Sequence, residues 1–274
     1  MRNDGDGTPL VWAHRGSMSL APENTAPAFD LALDLGADAL ETDVRLSRDG
    51  VPMVVHDARL ERTTDGRGRV RDHTARALGG LDAGARFRDL DGRSWRGRGA
   101  RVESLDALLE RYPHVPVNVD IKDPDDAAAD AVAACLARRA GGATVTVGSF
   151  HGRALARFRE RAPDVPTAAG PAEVAAFRFG RSGTGRPGGA PRAVPYRWLQ
   201  VPPSRFGVPL ATRRFIARAR ALGVGCVYWT IDDPVVMRRL VARGAAGVVT
   251  NRPDLAVAAL GRADPQGRTP AGGR

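Results

Sequence analysis

At 274 residues and 29.1 kDa, with 43% hydrophobic side chains, the chain suits one large globular domain with a full core, a size that α/β barrels routinely occupy. No run approaches the roughly 18 apolar residues of a membrane span, and the first apolar segment, Leu10 to Ala13, is too short for the core of a secretory signal, so a cytoplasmic location is the expectation. The formal charge of +10 favours anionic ligands, but the arginines are scattered through every segment without interleaved aromatics, so no nucleic-acid partner is expected.

Residues 1–8 are polar and glycine-rich and read as a disordered tail. Leu10-Val11-Trp12-Ala13 is a short apolar strand ending at His14-Arg15-Gly16. After a loop, Pro22-Glu23-Asn24-Thr25 precedes a helical pattern closed by Gly36, with Asn24 as the predicted N-cap. The next strand, Ala39 to Val44, places Glu41 and Asp43 on one face and Leu40, Thr42 and Val44 on the other. Two carboxylates that close cost several kcal/mol unless a proton or a cation intervenes. A divalent cation is the common remedy.

Only about six residues, with Asp49-Gly50 at the tip, separate this strand from Val51–His56, whereas a parallel crossover needs a dozen or more. An antiparallel hairpin follows. With Leu46 facing Val51, Glu41 comes opposite His56 and Asp43 lies near Val54, so the hairpin returns His56 to the carboxylates. Residues from about 47 to 101 read as a small insertion without a core of its own, and Ser104 as the cap of a short helix. Val117 to Lys122 alternates cleanly, with Asn118, Asp120 and Lys122 on one face.

From there the pattern predicts helix 126–139, strand 144–149, helix 152–161, strand 166–169, helix 172–179, a Gly/Pro/Arg-rich loop 180–195, strand 198–201, helix 212–222, strand 224–230, helix 234–243, strand 247–250 and helix 253–260, with a tail from 262. Omitting the return arm of the hairpin, eight strands each precede a helix. That predicts an α/β (β/α)8 TIM barrel as a single domain over 9–261, with its active site at the carboxyl ends of the strands. His14, Asp120, Lys122, Ser149, Trp229 and Thr250 fall there. Cys135 and Cys226, with no CxxC spacing, read as small core residues.

The ordered set His14-Arg15-Gly16, Pro22-Glu23-Asn24-Thr25, Glu41-Thr42-Asp43, His56-Asp57, Asp120-Ile121-Lys122, Trp229-Thr230 and Thr250-Asn251-Arg252-Pro253-Asp254 resembles the glycerophosphodiester phosphodiesterase family, with Arg62 to Gly66 and Leu81 to Gly84 resembling its insert. The resemblance implies hydrolysis of a small-molecule glycerophosphodiester to glycerol phosphate and an alcohol with a divalent cation, Mg²⁺ or Ca²⁺. Carried over by motif, Glu41, Asp43 and Asp120 are metal ligands, His14 and His56 the catalytic pair, and Arg15 and Lys122 hold phosphate. The family most often has glutamate where Asp120 stands, one methylene longer.

The chemistry of these residue types agrees. Carboxylate oxygens suit Mg²⁺ or Ca²⁺, two histidines can divide proton acceptance and donation, and arginine and lysine offer a bidentate and a point charge. Trp229 either packs in the barrel mouth or walls the substrate pocket. Glu23 caps or orients His14 or Arg15, or approaches the metal from behind its ligands, with Asn24 and Asp57 in supporting positions. Two other functions fit the same residues: phospholipase D-type cleavage of lysophospholipids or sphingolipids, with or without a cyclic phosphate, and a silent barrel that binds anionic metabolites. The lack of an exposed-looking apolar loop favours the soluble diester.

Overall fold

In the computed structural model, residues 8–139, 144–180 and 194–262 are described; the expected tails and most of loop 180–195 lie outside them. The first half runs β1 (Leu10–His14), α1 (Ala26–Asp34), β2 (Ala39–Leu46), β3 (Pro52–Val54), α2 (Ala75–Gly79), α3 (Leu105–Arg111), β4 (Val117–Ile121), α4 (Asp126–Ala137), β5 (Val145–Gly148), α5 (Gly152–Arg161) and α6 (Pro171–Arg178). The second runs β6 (Trp198–Val201), β7 (Ser204–Arg205), β8 (Val208–Pro209), α7 (Arg213–Ala221), β9 (Gly225–Tyr228), α8 (Pro234–Ala242), β10 (Gly247–Thr250) and α9 (Pro253–Ala259). Seven parallel strands in the order β5-β4-β2-β1-β10-β9-β6 form one curled sheet, with β3 paired antiparallel to β2. The fold is α/β and of TIM-barrel type. No helix among the described residues is long and apolar enough to cross a membrane.

The predicted strand at 166–169 is reduced to two parallel bridges, Val147 to Thr167 and Ala168 to Trp198. Pro166 gives its carbonyl to Val147 N but has no N–H to return, and Gly170 N donates to Glu173 Oε2 at the start of α6. A longer ladder has no donors at either end.

Strand alternation sorts the core. Outward residues of β2 and β4, such as Leu40, Val44, Val117 and Val119, pack with Leu108, Val132 and Phe158 of the helices. A second cluster joins β6, β9 and β10 to α7 and α8 through Leu199, Tyr228, Ile216 and Leu240. Inside the curled sheet, Trp12 and Trp198 meet edge-on, their centroids 5.4 Å apart, with Val227 and Val249 around them. Gly225 makes room for that pair, since a Cβ there would lie 2.4 Å from the Trp198 ring. The aromatic plug fills the amino ends of the strands and leaves the carboxyl ends to polar side chains.

The antiparallel hairpin forms as the loop length predicts, with its register one residue away: Leu46 pairs with Pro52 and Val44 with Val54. Ser47 sets the difference. Its N donates to Val51 O, its Oγ accepts from Val51 N at 2.9 Å and donates to Asp49 Oδ1, and Gly50 takes φ +76°. Val51 is thereby drawn into the turn, and Asp43 O accepts from Val55 N. The expectation that the insertion lacks a core of its own is corrected: Leu60, Val70, Leu78 and Val102, spaced too widely to give a period, pack on Met53 and Val55 in a separate apolar cluster.

Candidate active site

Parallel register brings the carboxylates together before any side chain is considered. Glu41 lies level with His14 on one side and Asn118 on the other, and Asp43 lies level with Asp120. Because β2 is eight residues long, it carries Glu41 and Asp43 to the polar end of the sheet before turning into the hairpin. His14, Arg15, Glu41, Asp43, His56, Asp120 and Lys122 all line one cavity of about 730 Å³. Every residue that sequence placed in the catalytic, ligand or phosphate roles is therefore in one place.

The turn after β1 is tight. Arg15 and Gly16 have φ of +50° and +81°, and a Cβ on Gly16 would lie 2.7 Å from the Ala28 backbone, so only glycine fits. The turn directs Arg15 N to Glu41 Oε2 at 3.1 Å, its Nη1 to Glu23 Oε1 at 2.9 Å and its Nε to within 3.0 Å of Asp43 Oδ2. The sequence expectation that Asn24 caps α1 is overturned. Thr25 holds that position, while Asn24 takes φ +56° and donates Nδ2 to Asp43 Oδ2 at 3.0 Å, accepting from Thr42 Oγ1 at 2.8 Å. A carboxylate 1% exposed demands such donors.

The two histidines differ in their partners. His14 Nδ1 donates to Asn251 Oδ1 at 2.6 Å; the orientation of that amide follows from its Nδ2 donating to Asp232 Oδ2 at 2.7 Å. Asp232 Oδ1 also accepts from Asn251 N and Thr250 Oγ1, both at 2.8 Å. The proton on Nδ1 leaves Nε2 as the basic nitrogen, 3.9 Å from Glu41 Oε2. Burial, then the Arg15 charge, lowers the His14 pKa and keeps the ring neutral. His56 Nδ1 instead donates to the Asp57 carboxylate at 2.7 Å. Burial opposes ionisation of Asp57, but hydrogen bonds from Arg62 and His56 outweigh it and hold its carboxyl at about 2. Arg62 also reaches both oxygens of Glu23, so one chain of contacts runs His56–Asp57–Arg62–Glu23–Arg15.

Lys122 Nζ sits between two expected ligands, 2.5 Å from Asp120 Oδ2 and 2.9 Å from Asp43 Oδ1. Burial works against Asp43 ionising, but Lys122 and Arg15 hold its pKa below the ordinary value. Burial pushes Glu41 up to about 8, reinforced by the Asp43 charge, and raises Asp120 as well. Three carboxylates thus share two cations. As the side chains stand, no three His, Cys, Asp or Glu among the described residues gather closely enough to hold a metal ion. The donor set nonetheless suits a hard cation: Asp120 Oδ1 is buried without a hydrogen bond, Asp43 Oδ1 meets the Lys122 ammonium, and that ammonium between the two carboxylates marks a place for positive charge.

Sequence reasoning missed three groups of residues. Asp232, which fixes Asn251, lies two residues past the Trp229-Thr230 motif and was not singled out. Arg45 and Asp123 lock the hairpin to β4: Arg45 Nη1 lies 2.6 Å from Asp123 Oδ1, and Leu46 N donates to Asp123 Oδ2. The third is the outer wall of the cavity. Trp229, expected there from sequence and half-buried, meets Phe150 edge-on at 5.8 Å, but Phe150, Phe179 and Phe206, exposed at the mouth, were not expected. The expectation that no apolar loop is exposed is overturned by Phe206, on a ribbon too short for a periodic signal. Its one clue was a Phe-Gly pair at a turn.

Comparison with known proteins agrees with this geometry. The Glycerophosphoryl diester phosphodiesterase family model matches residues 14–255. YhdW of Bacillus subtilis (strain 168) is 32% identical over 90% of this chain and 96% of its own; a glycerophosphodiester phosphodiesterase of the same organism is 28% identical over 90% and 84%. Among solved structures, the glycerophosphodiester phosphodiesterase of Agrobacterium tumefaciens str. C58 superposes with a TM-score of 0.72 at 29% identity, covering 91% of this chain and 99% of its own. An Oleispira antarctica phosphodiesterase, solved with its product sn-glycerol-3-phosphate, shares the fold with a TM-score of 0.73 at 24% identity over 93% and 97%.

Proposed function

Because the chain belongs to the glycerophosphoryl diester phosphodiesterase family, whose members are phosphoric diester hydrolases, we propose that it hydrolyses glycerophosphodiesters to glycerol phosphate and an alcohol, using a divalent cation and the pair His14 and His56. The observation that carries this reading is the convergence of two differently partnered histidines, three buried carboxylates and two cationic side chains in one cavity. The working unit is a single (β/α)8 domain over 9–261, with Thr167–Ala168 as the eighth position of the barrel; the two parallel bridges of that segment support it.

Glu41, Asp43 and Asp120 are the residues to hold the cation. When bound, Mg²⁺ or Ca²⁺ supplies charge withdrawal from a phosphoryl oxygen and orients the ester. Arg15, its Nη1 and Nε taken by Glu23 and Asp43, offers Nη2 to phosphate from a fixed plane. Lys122 adds a point charge beside it. His14, with Nδ1 protonated and Nε2 basic, accepts the proton of the attacking water. His56, its ring oriented by the Asp57 carboxylate, donates to the departing alkoxide.

The test is a panel of glycerophosphocholine, glycerophosphoethanolamine and glycerophosphoinositol with Mg²⁺, Ca²⁺ or Mn²⁺, read by release of glycerol phosphate beside His14→Ala. Turnover lost in the variant supports the reading; no release in any combination points to a binder of anionic metabolites. The aromatic mouth brings lysophospholipids into the same panel, where phosphorus NMR separates a linear monoester from a cyclic phosphate.

Asn251 acts through His14 as a positioning residue. Asn251→Ala is expected to lower kcat about tenfold to a hundredfold with KM little changed, because the substrate keeps its phosphate contacts while Nε2 loses its fixed tautomer. Steady-state kinetics check it. A loss confined to KM contradicts the assignment.

A further inference from the structure

The outer half of the cavity carries chemistry that phosphodiester hydrolysis does not use. Between β6 and α7 the chain turns outward into the ribbon β7–β8, and Phe206 stands at its tip, 92% exposed. Phe206 and Gly207 have φ of +49° and +76°, the pair of positive angles that a two-residue hairpin of this type requires. Glycine takes that conformation freely and asparagine readily; a phenyl-bearing residue is strained there. An aromatic ring is thus held in water against both its backbone preference and its solvation, and strain of this kind collects where a surface has work to do.

The apolar surface continues onto α6. Pro171, Ala175 and Phe179, spaced i, i+4 and i+8, are all exposed and all line the cavity, Phe179 at 67% exposure. Two cations are set into this surface. The Arg178 guanidinium lies 5.8 Å from the Phe179 ring centre and donates Nε to Pro209 O at 3.2 Å, tying α6 to the ribbon. The Arg205 guanidinium lies 5.3 Å from the Phe206 ring. Neither has a carboxylate partner among the described residues. On α5, by contrast, Arg153, Arg157 and Arg161 are each paired with Asp126 or Asp130. The unpaired cations sit beside the exposed rings.

The geometry points to the rim formed by Phe206, Phe179, Arg178 and Arg205 as a docking surface for an anionic lipid bilayer. Phenyl rings enter the interface below the headgroups while guanidinium groups at their base meet lipid phosphates. The cavity mouth then faces the lipid. This goes beyond the phosphodiesterase reading and does not depend on it.

The experiment is sedimentation with vesicles of phosphatidylcholine containing about a third phosphatidylglycerol, in EDTA, so that no turnover is needed and its outcome is separate from that of the substrate panel. Wild type is expected to sediment with these vesicles and far less with phosphatidylcholine alone. Phe206→Asn and Phe179→Ser should each weaken partition about tenfold, and Arg178→Gln and Arg205→Gln each about fivefold. Phe206→Asn, which suits the turn, should melt no lower than wild type, so its loss of binding is not a loss of fold. The added emission of Phe206→Trp should shift to the blue on vesicles. The proposal is overturned by absence of sedimentation, by partition that these variants leave unchanged, by a Phe206→Trp emission that ignores lipid, or by lipid-free self-association that Phe206→Asn abolishes, which would assign the rim to a second copy of the chain.

Discussion

His56→Ala is expected to lower hydrolysis of glycerophosphocholine by about 10²–10⁴-fold while leaving a p-nitrophenyl ester of glycerol phosphate far less affected, and His14→Ala to lower both alike. The division follows from the partners of the two rings. His14 gives its Nδ1 proton to an amide oxygen, and that amide is itself fixed by Asp232, so Nε2 presents a lone pair and can only take a proton. His56 gives Nδ1–H to a carboxylate held ionised by Arg62, which fixes the tautomer and orientation of the ring for proton transfer to the leaving group. A choline alkoxide needs that proton to leave; p-nitrophenolate does not. Activation of water is needed for both. The reverse pattern exchanges the two roles, and equal losses on both esters in both variants remove the acid–base division.

What the sequence made legible was whatever depends on local pattern and chain length. Strand alternation put Glu41 with Asp43 and Asn118 with Asp120, and parallel register then brought the two strands level. The short connection after Leu46 demanded a hairpin. Its register was not legible, because it is set by Ser47 folding back on Val51 rather than by any apolar pairing. Asn24 was misplaced for a related reason. Its position before a helix makes a cap the local expectation, but the buried carboxylate of Asp43, 19 residues on, needed the amide more. Asp232 and Asn251 meet only because adjacent loops at one end of the sheet converge. Such contacts have no period, and neither has a ribbon with two residues in each arm.

The other large effect concerns the cation site. Asp120→Asn is expected to cost more than about a hundredfold in divalent-dependent turnover, and also to abolish the rise in melting temperature that Mg²⁺ or Ca²⁺ gives the wild-type protein. Binding to the native state alone stabilises it by about 2.7 kcal/mol at a hundred times Kd, a shift of several degrees for a chain of this size. The variant should fold, since Lys122 keeps its ion pair with Asp43 and one of three crowded carboxylates has lost its charge. Lys122→Met should act in the opposite sense. Removing the buried ammonium leaves Asp43 and Asp120 facing each other at a cost of about 3–5 kcal/mol, which a divalent cation can offset, so the metal-dependent rise in melting temperature should exceed that of wild type. The two readings are separable from activity, because thermal shift requires no substrate. A full metal-induced shift in Asp120→Asn removes Asp120 from the ligand set, and an undiminished shift in Asp43→Asn as well would place the cation elsewhere than between β2 and β4.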